Sequence, residues 1–316
     1  MLAVTVTHER GHSELVLTEQ PEPQAGDEQV VVAVRAVSLN NGELREALSA
    51  SPGHRPGWEF AGVVEQAPTS SGLYAGDRVF GLASSTWAER VAVPLAFLVR
   101  MPEGLDFAVA AALPVAGMTA AGCLQKKPQT EVRRLLVTAA TGGVGVLAIQ
   151  LGKAQGAHVT ALTRDVAAAE WLCELGADEV VTLDNAARAA PYDLILEGAG
   201  GMLLGRVMEW LAPRGLCVNF GDAAGDELTT FDARKFRLGG GPPFGGTSLY
   251  GFFLLEELMR PAPLHAPTIL NLLAERAVTG ALNPVLSRVT SWREADAVAR
   301  ALLNREFPGK AVLLID

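Results

Sequence analysis

The chain has 316 residues, 49% hydrophobic and 19% charged, which excludes a disordered or charge-driven polymer. At about 100–200 residues per domain this length predicts two globular domains. With 26 Lys and Arg against 35 Asp and Glu, the formal charge is −9. That argues against a nucleic-acid binder, whose affinity rests on clustered positive charge. Cys123, Cys173 and Cys217 form no CxxC pair, so neither a disulfide framework nor a cysteine-held zinc is expected, and a reducing, cytoplasmic setting fits this usage.

The first hundred residues predict β-structure. The start, Met1 to Arg10, alternates like a strand and lacks the basic start and long apolar run of a signal peptide. Gln29–Val37, Phe60–Glu65 and Asp77–Leu82 are further strand patterns, separated by turn-rich segments such as 51–57. His8 and His12 stand four apart in a strand–turn context, where that spacing does not converge on a metal. Leu105–Leu124 is nearly all apolar and about 20 residues long, the length of a membrane span. It contains Asp106 and Pro114 and is built largely of Ala and Gly, so a tightly packed helix inside the protein is the reading, with no membrane partner.

From about Leu113 the pattern changes to alternating strands and helices. Strands are expected at Leu135–Ala139, His158–Thr163, Glu179–Leu183, Asp193–Glu197 and Leu216–Phe220, with helices at Val146–Gln155 and Ala167–Leu175. Such alternation specifies βαβ units on a parallel, doubly wound sheet. After Gly239 comes a Gly- and Pro-rich stretch, then a strand at Ser248–Leu254, helices at Thr268–Thr279 and Trp292–Asn304, and a strand at Lys310–Asp316. The last strand needs a sheet, and the N-terminal β-domain is the nearest candidate, which makes the α/β domain an insertion.

The strongest chemical signal is the turn Ala139-Ala-Thr-Gly-Gly-Val-Gly145, between a strand and a helix. Small residues at this spacing allow a tight turn and close backbone approach to a pyrophosphate at a helix N-terminus. At the end of the next strand, where an NAD site carries an acidic residue, stand Thr163 and Arg164. A carboxylate there would repel a 2′-phosphate, whereas a hydroxyl beside a guanidinium favours it, so NADPH is the expected cofactor. Asp165 keeps open the alternative that Arg164 is a solvated loop residue.

Five segments, Pro56–Val64, Gly76–Gly81, Ala112–Ala120, Ala139–Gly145 and Pro308–Leu313, occur in the order seen in medium-chain dehydrogenases/reductases, and the chain resembles their zinc-independent quinone oxidoreductase branch. The resemblance implies a Rossmann doubly wound sheet over 115–253, inserted into a GroES-like β-rich catalytic domain made of 1–114 and 254–316. It implies cofactor contacts from Thr119, from Thr141, Gly142, Gly143, Val144 and Gly145, from Thr163 and Arg164, and from Gly198, Gly221, Phe252 and Phe253. Asn40 matches the family's active-site Asn and is the expected donor toward substrate or nicotinamide ribose; as part of Asn40-Asn41-Gly42 it reads equally as a turn residue. Trp58 and Phe244 are expected beside Asn40 in an apolar substrate pocket. A homodimer formed by edge-strand pairing follows from the same resemblance.

The departures bear on mechanism. Where zinc-dependent relatives place a Cys and the His of Gly-His-Glu, this chain has Asn40 or Asn41 and Trp58, and indole cannot ligate zinc, so no metal is expected. Arg45 stands near the place of a family Tyr, which leaves the proton donor unassigned. The resulting expectation is hydride delivery from NADPH to a small-molecule quinone or α,β-unsaturated carbonyl, whose conjugation spreads charge without a Lewis acid. A short-chain dehydrogenase needs a YxxxK pair, but Tyr74, Tyr192 and Tyr250 are followed four residues on by Arg78, Leu196 and Leu254. A non-catalytic NADPH-binding protein of the same fold stays as the alternative.

Overall fold

A computed structural model describes residues 1–9, 12–239 and 245–316. The chain divides into two compact units, Met1–Met118 with His265–Asp316, and Thr119–Leu264. These boundaries lie somewhat beyond the sequence expectations of 114 and 253. On the C-terminal side, the helix after Phe253 is tied back by Lys126, which hydrogen-bonds Glu257.

The first unit begins with a hairpin of β1 (Leu2–Glu9) and β2 (His12–Glu19). Then follow β3 (Gln29–Ser38), α1 (Asn41–Ser49), β4 (Glu59–Gln66), β5 (Arg78–Leu82), β6 (Arg90–Pro94) and β7 (Leu98–Arg100). The apolar stretch 105–124 is not one helix. Asp106 accepts from the Ala108 N–H at 2.7 Å and caps a short α2 (Phe107–Ala111), and Pro114, which cannot continue a helix, starts α3 (Pro114–Leu124). Among the described residues no helix is long and apolar enough to cross a membrane.

The second unit carries β8 (Arg134–Val137), α4 (Gly143–Ala154), β9 (His158–Leu162), α5 (Ala169–Glu174), β10 (Glu179–Val181), α6 (Leu183–Ala186), β11 (Tyr192–Glu197), α7 (Gly201–Met208), β12 (Leu211–Asn219), α8 (Ala233–Leu238), β13 (Ser248–Gly251) and α9 (Leu254–Met259). Its six strands are all parallel, in the order β10-β9-β8-β11-β12-β13. This is a Rossmann sheet, with its switch point between β8 and β11. Two expected strands are shorter than the sequence pattern. The third ends at Val181 because Thr182 caps α6, and β13 stops at Gly251 because the Phe252 N–H turns to Asn219 O and α9 begins.

The chain then returns to the first unit with α10 (Ala266–Val278), β14 (Leu286–Ser291), α11 (Ala295–Leu303) and β15 (Lys310–Leu314). As expected of a strand without a sheet of its own, β15 joins the N-terminal domain, antiparallel to β3 with Leu313 opposite Val37. The seven-stranded sheet packs on a core that includes Val32, Leu44, Phe60, Trp87 and Trp292. The second unit has its own core, which includes Leu136, Ile195, Val207 and Cys217.

Candidate active site

In the second unit, the expected residues Thr141–Gly145, Thr163, Arg164, Gly198 and Gly221 follow the C-terminal ends of β8, β9, β11 and β12, while Thr119 lies in α3 and Phe252 and Phe253 follow β13. β8 leaves the sheet at Val137, and Ala139 takes φ +47, a left-handed conformation costly for a residue with a Cβ. The turn closes through Gly142 N–H to Ala139 O at 2.9 Å, and Gly142 caps α4 without a side chain of its own. A Cβ on Gly145 would stand 2.4 Å from Ala139 O and 2.8 Å from Ala140 Cα, so only glycine lets the helix seat this closely. The first-turn N–H groups of α4, led by Gly143, Val144 and Gly145, have no intrahelical acceptors and suit an anion.

Thr163 follows β9 and is buried; its Oγ1 accepts from the Asp165 N–H at 3.1 Å. Arg164 is exposed, and the Asp165 carboxylate is engaged elsewhere, with Oδ1 accepting from the Ala167 N–H at 2.9 Å. Gly198 and Gly221 are required by packing. A Cβ on Gly198 would lie 2.6 Å from Phe220 Cζ, and one on Gly221 would lie 2.6 Å from Gly198 O. Phe252 is buried, with its ring against Gly122 of α3, while Phe253 is 55% exposed and caps α9. Thr119 is buried in α3, and Thr141 is half-buried within the turn.

Glu197, at the end of β11, escaped the sequence analysis. Fully buried, it accepts from Ala199 N–H (2.8 Å), Gly200 N–H (2.9 Å), Thr138 Oγ1 (3.2 Å) and Asn219 Nδ2 (2.8 Å). One carboxyl therefore ties together the ends of β8, β11 and β12. Burial pushes it above the usual carboxylate range, while the Gly200 and Ala199 amides pull it back.

In the first unit, β3 delivers Asn40, which caps α1 and receives the Leu44 N–H at its carbonyl. Gly57 holds φ +126, and a Cβ there would sit 2.2 Å from Thr86 N. This glycine lets the chain turn Trp58 over α1, where a Cβ added to Gly42 would stand 3.1 Å from the indole ring. Glu59 opens β4 fully buried, its carbonyl receiving Thr86 Oγ1 at 2.8 Å. Lys310 opens β15 after Gly309, at φ +66, where a Cβ would meet Val285 O at 2.1 Å. Asn40, Glu59 and Lys310 are in mutual hydrogen-bond contact, with Lys310 Nζ 2.9 Å from Glu59 Oε1. Glu43 lies one turn into α1, buried, accepting from the Asn40 N–H at 3.2 Å. Burial, and after it the charge of Glu59, pushes Glu43 up to about 8.

Glu59 and Lys310 each lie inside one of the five resembling segments, Pro56–Val64 and Pro308–Leu313. Their partnership spans 251 positions of sequence, so the available signal was an acid and a base each sitting within one of the five segments. Phe244 lies outside the described residues. Arg45 is half-buried on α1. Among the described residues, no three His, Cys, Asp or Glu side chains are grouped to hold a metal ion.

Fold and turn together are those of a Rossmann dinucleotide-binding unit and a β-rich unit in one chain. Two family models match the chain: alcohol dehydrogenase GroES-like domain over residues 26–103, and zinc-binding dehydrogenase over residues 143–260. The quinone oxidoreductase of Thermus thermophilus, solved also in complex with NADPH, shares 32% identity over 99% of this chain and all of its own, with a TM-score of 0.81. A spectinabilin polyketide synthase system protein of Streptomyces orinoci is 33% identical over 95% of this chain, which spans only 14% of that relative's length. A probable acrylyl-CoA reductase of Escherichia coli is 27% identical over 83% of this chain and 82% of its own. The chain belongs to the medium-chain dehydrogenase/reductase superfamily, in its quinone oxidoreductase-like branch.

Proposed function

We propose that this chain is an NADPH-dependent reductase that delivers hydride to a quinone or α,β-unsaturated carbonyl without a metal. The observation that carries the reading is the β8–α4 turn, closed so tightly at Gly145 that a Cβ would overlap Ala139 O. Near it in sequence stands the exposed Arg164, whose neighbour Asp165 caps the following turn through Ala167 rather than pairing with it. The Gly143–Gly145 amides would hold the pyrophosphate of NADPH, while Thr163 and Arg164 would receive the adenosine 2′-phosphate. Thr119, Gly198, Gly221, Phe252 and Phe253 are assigned to the nicotinamide half, and Trp58 to the substrate pocket.

NADPH, when bound, supplies the hydride. The protein's own part is to hold the acceptor in register and keep water away, with Asn40 the polar side chain that meets the substrate or the nicotinamide ribose. Trp58 stands where a metal ligand stands in zinc-dependent relatives and packs on Gly42. A conjugated acceptor suits a site of this kind, because hydride addition at the β-carbon spreads the charge onto the carbonyl oxygen and solvent then supplies the proton. The probable acrylyl-CoA reductase among the relatives supports unsaturated thioesters within the enone class.

The working form is a cytoplasmic homodimer. β13 is the edge of the six-stranded sheet, and Leu249 (45%), Phe253 (55%), Leu255 (58%) and Met259 (69%) are exposed on it and on α9. An apolar edge of this kind is covered by pairing.

The test is NADPH oxidation across quinones, enones, unsaturated thioesters and simple aldehydes, with elemental analysis of the same protein. Turnover with conjugated acceptors in zinc-free protein is expected. Tight NADPH binding with no turnover on any of them would instead make the chain a non-catalytic NADPH-binding protein, and one firmly held zinc per chain would overturn the metal-free mechanism.

A further inference from the structure

Lys310, 3% exposed, is the one buried cation among the described residues. Its ammonium carries three N–H bonds and has three acceptors: Leu39 O at 2.9 Å, Asn40 Oδ1 at 2.7 Å and Glu59 Oε1 at 2.9 Å. Glu59 Oε1 also accepts from Asn40 Nδ2 at 2.8 Å, and Oε2 accepts from the Val115 N–H at 2.7 Å. An ammonium only donates and an ionised carboxylate only accepts. The Asn40 amide therefore has one orientation that satisfies both neighbours, oxygen to Lys310 and nitrogen to Glu59. The flipped amide would press NH2 against the ammonium and a carbonyl oxygen against the carboxylate, two repulsive contacts where little water screens them. The remaining Nδ2 hydrogen lies on the side of Glu43 Oε2, 3.5 Å away.

We propose that Lys310 and Glu59 are positioning residues that lock the Asn40 amide, so that what Asn40 presents outward is the second lone pair of Oδ1. Asn40 then acts as an acceptor for a hydroxyl donor, the chemistry of a ribose hydroxyl, and the developing substrate oxyanion is stabilised by other groups. The choice of a ribose hydroxyl rests on the NADPH reductase reading; the lock itself does not.

Two measurements on the full chain test this. Side-chain amide hydrogen exchange followed by NMR reads the lock without activity. The Asn40 NH2 protons are expected to exchange at least 10-fold more slowly than those of a freely exposed asparagine. Exchange at the exposed rate would overturn the proposal.

The second measurement compares kinetics of Asn40→Ala, of the charge-balanced pair Glu59→Gln with Lys310→Met, and of all three together. Removing both charges avoids a buried unpaired ion, the main threat to folding, and thermal melting confirms that the pair is folded. A locked amide predicts that kcat falls roughly 10- to 100-fold in the folded pair. It also predicts that adding Asn40→Ala costs less than about 3-fold more, since residues acting as one unit are not additive. A folded pair with the kcat of the unaltered protein would overturn the proposal. If the pair fails to fold, the exchange measurement decides. If the unaltered protein reduces no acceptor, the reductase reading falls and exchange still judges the lock.

Discussion

Among the described residues, Asp165 and Arg164 form no ion pair with each other. Asp165 Oδ1 accepts the Ala167 N–H at 2.9 Å and caps the 3-10 turn Val166–Ala168, while the Arg164 side chain is exposed and has no ion pair among the described residues. A guanidinium so placed after β9 is free to meet a 2′-phosphate. Arg164→Ala should weaken NADPH binding roughly 10- to 100-fold, the loss of ~1.5–3 kcal/mol of charged hydrogen bonding, and leave NADH nearly unchanged. Titration of both cofactors by fluorescence checks this, and equal losses would remove the phosphate assignment.

Ala139 and Gly145 face each other across the fingerprint turn with opposite tolerances. Gly145→Ala puts a Cβ 2.4 Å from Ala139 O and should cost about 1–3 kcal/mol through the forced shift of α4. Ala139→Gly relieves φ +47 and should raise stability by up to about 1 kcal/mol. Chemical denaturation of the two variants should move in opposite directions. A harmless Gly145→Ala would mean that helix and strand are not seated as closely as described.

The parallel sheet was legible in the sequence because each of its strands is a local apolar run closed by a turn signal, and the return of β15 followed from its being a strand with no sheet nearby. The cofactor turn was legible for the same reason, since seven consecutive residues carry it. The break at Ala112–Leu113 was missed although Asp106 and Pro114 were both noticed, because a uniformly small, apolar stretch shows no period that places a boundary. Glu59 with Lys310, and Glu197 with Thr138 and Asn219, were not legible: each becomes meaningful only when distant strands bring a buried charge to its partners. Gly198 and Gly221 were read from the resemblance as cofactor contacts, and the structure adds a packing reason for them, in that their backbones touch each other.

Glu43 makes stability depend on pH. Unfolded, its carboxyl titrates near 4.5, and folded, near 8. Between these values the folded chain holds a proton that the unfolded chain has released. The contribution is therefore complete below about 4.5 and is lost as pH rises to about 8, by at most ~1.4 kcal/mol per pH unit. Glu43→Gln cannot ionise, so its stability relative to the unaltered protein should improve steadily from pH 5 to pH 8. Denaturation midpoints that stay parallel across this range would show that Glu43 does not hold a proton.

The edge at β13 is testable by charge. Leu249→Glu adds a carboxylate at a position 45% exposed on the outer strand, and should convert a dimer to a monomer in light scattering while the far-UV spectrum stays unchanged. An unaltered protein that is already monomeric at micromolar concentration would place the working form in a single chain.

The central claim, hydride delivery to a conjugated acceptor, is tested most directly by following the hydrogen itself. NADPH carrying deuterium at C4 should be consumed in the presence of an α,β-unsaturated carbonyl substrate such as an enoyl thioester, and mass spectrometry should find one deuterium on the β-carbon of the saturated product. Deuterium on the carbonyl carbon, or no consumption with any quinone or enone while NADPH binds, would contradict it.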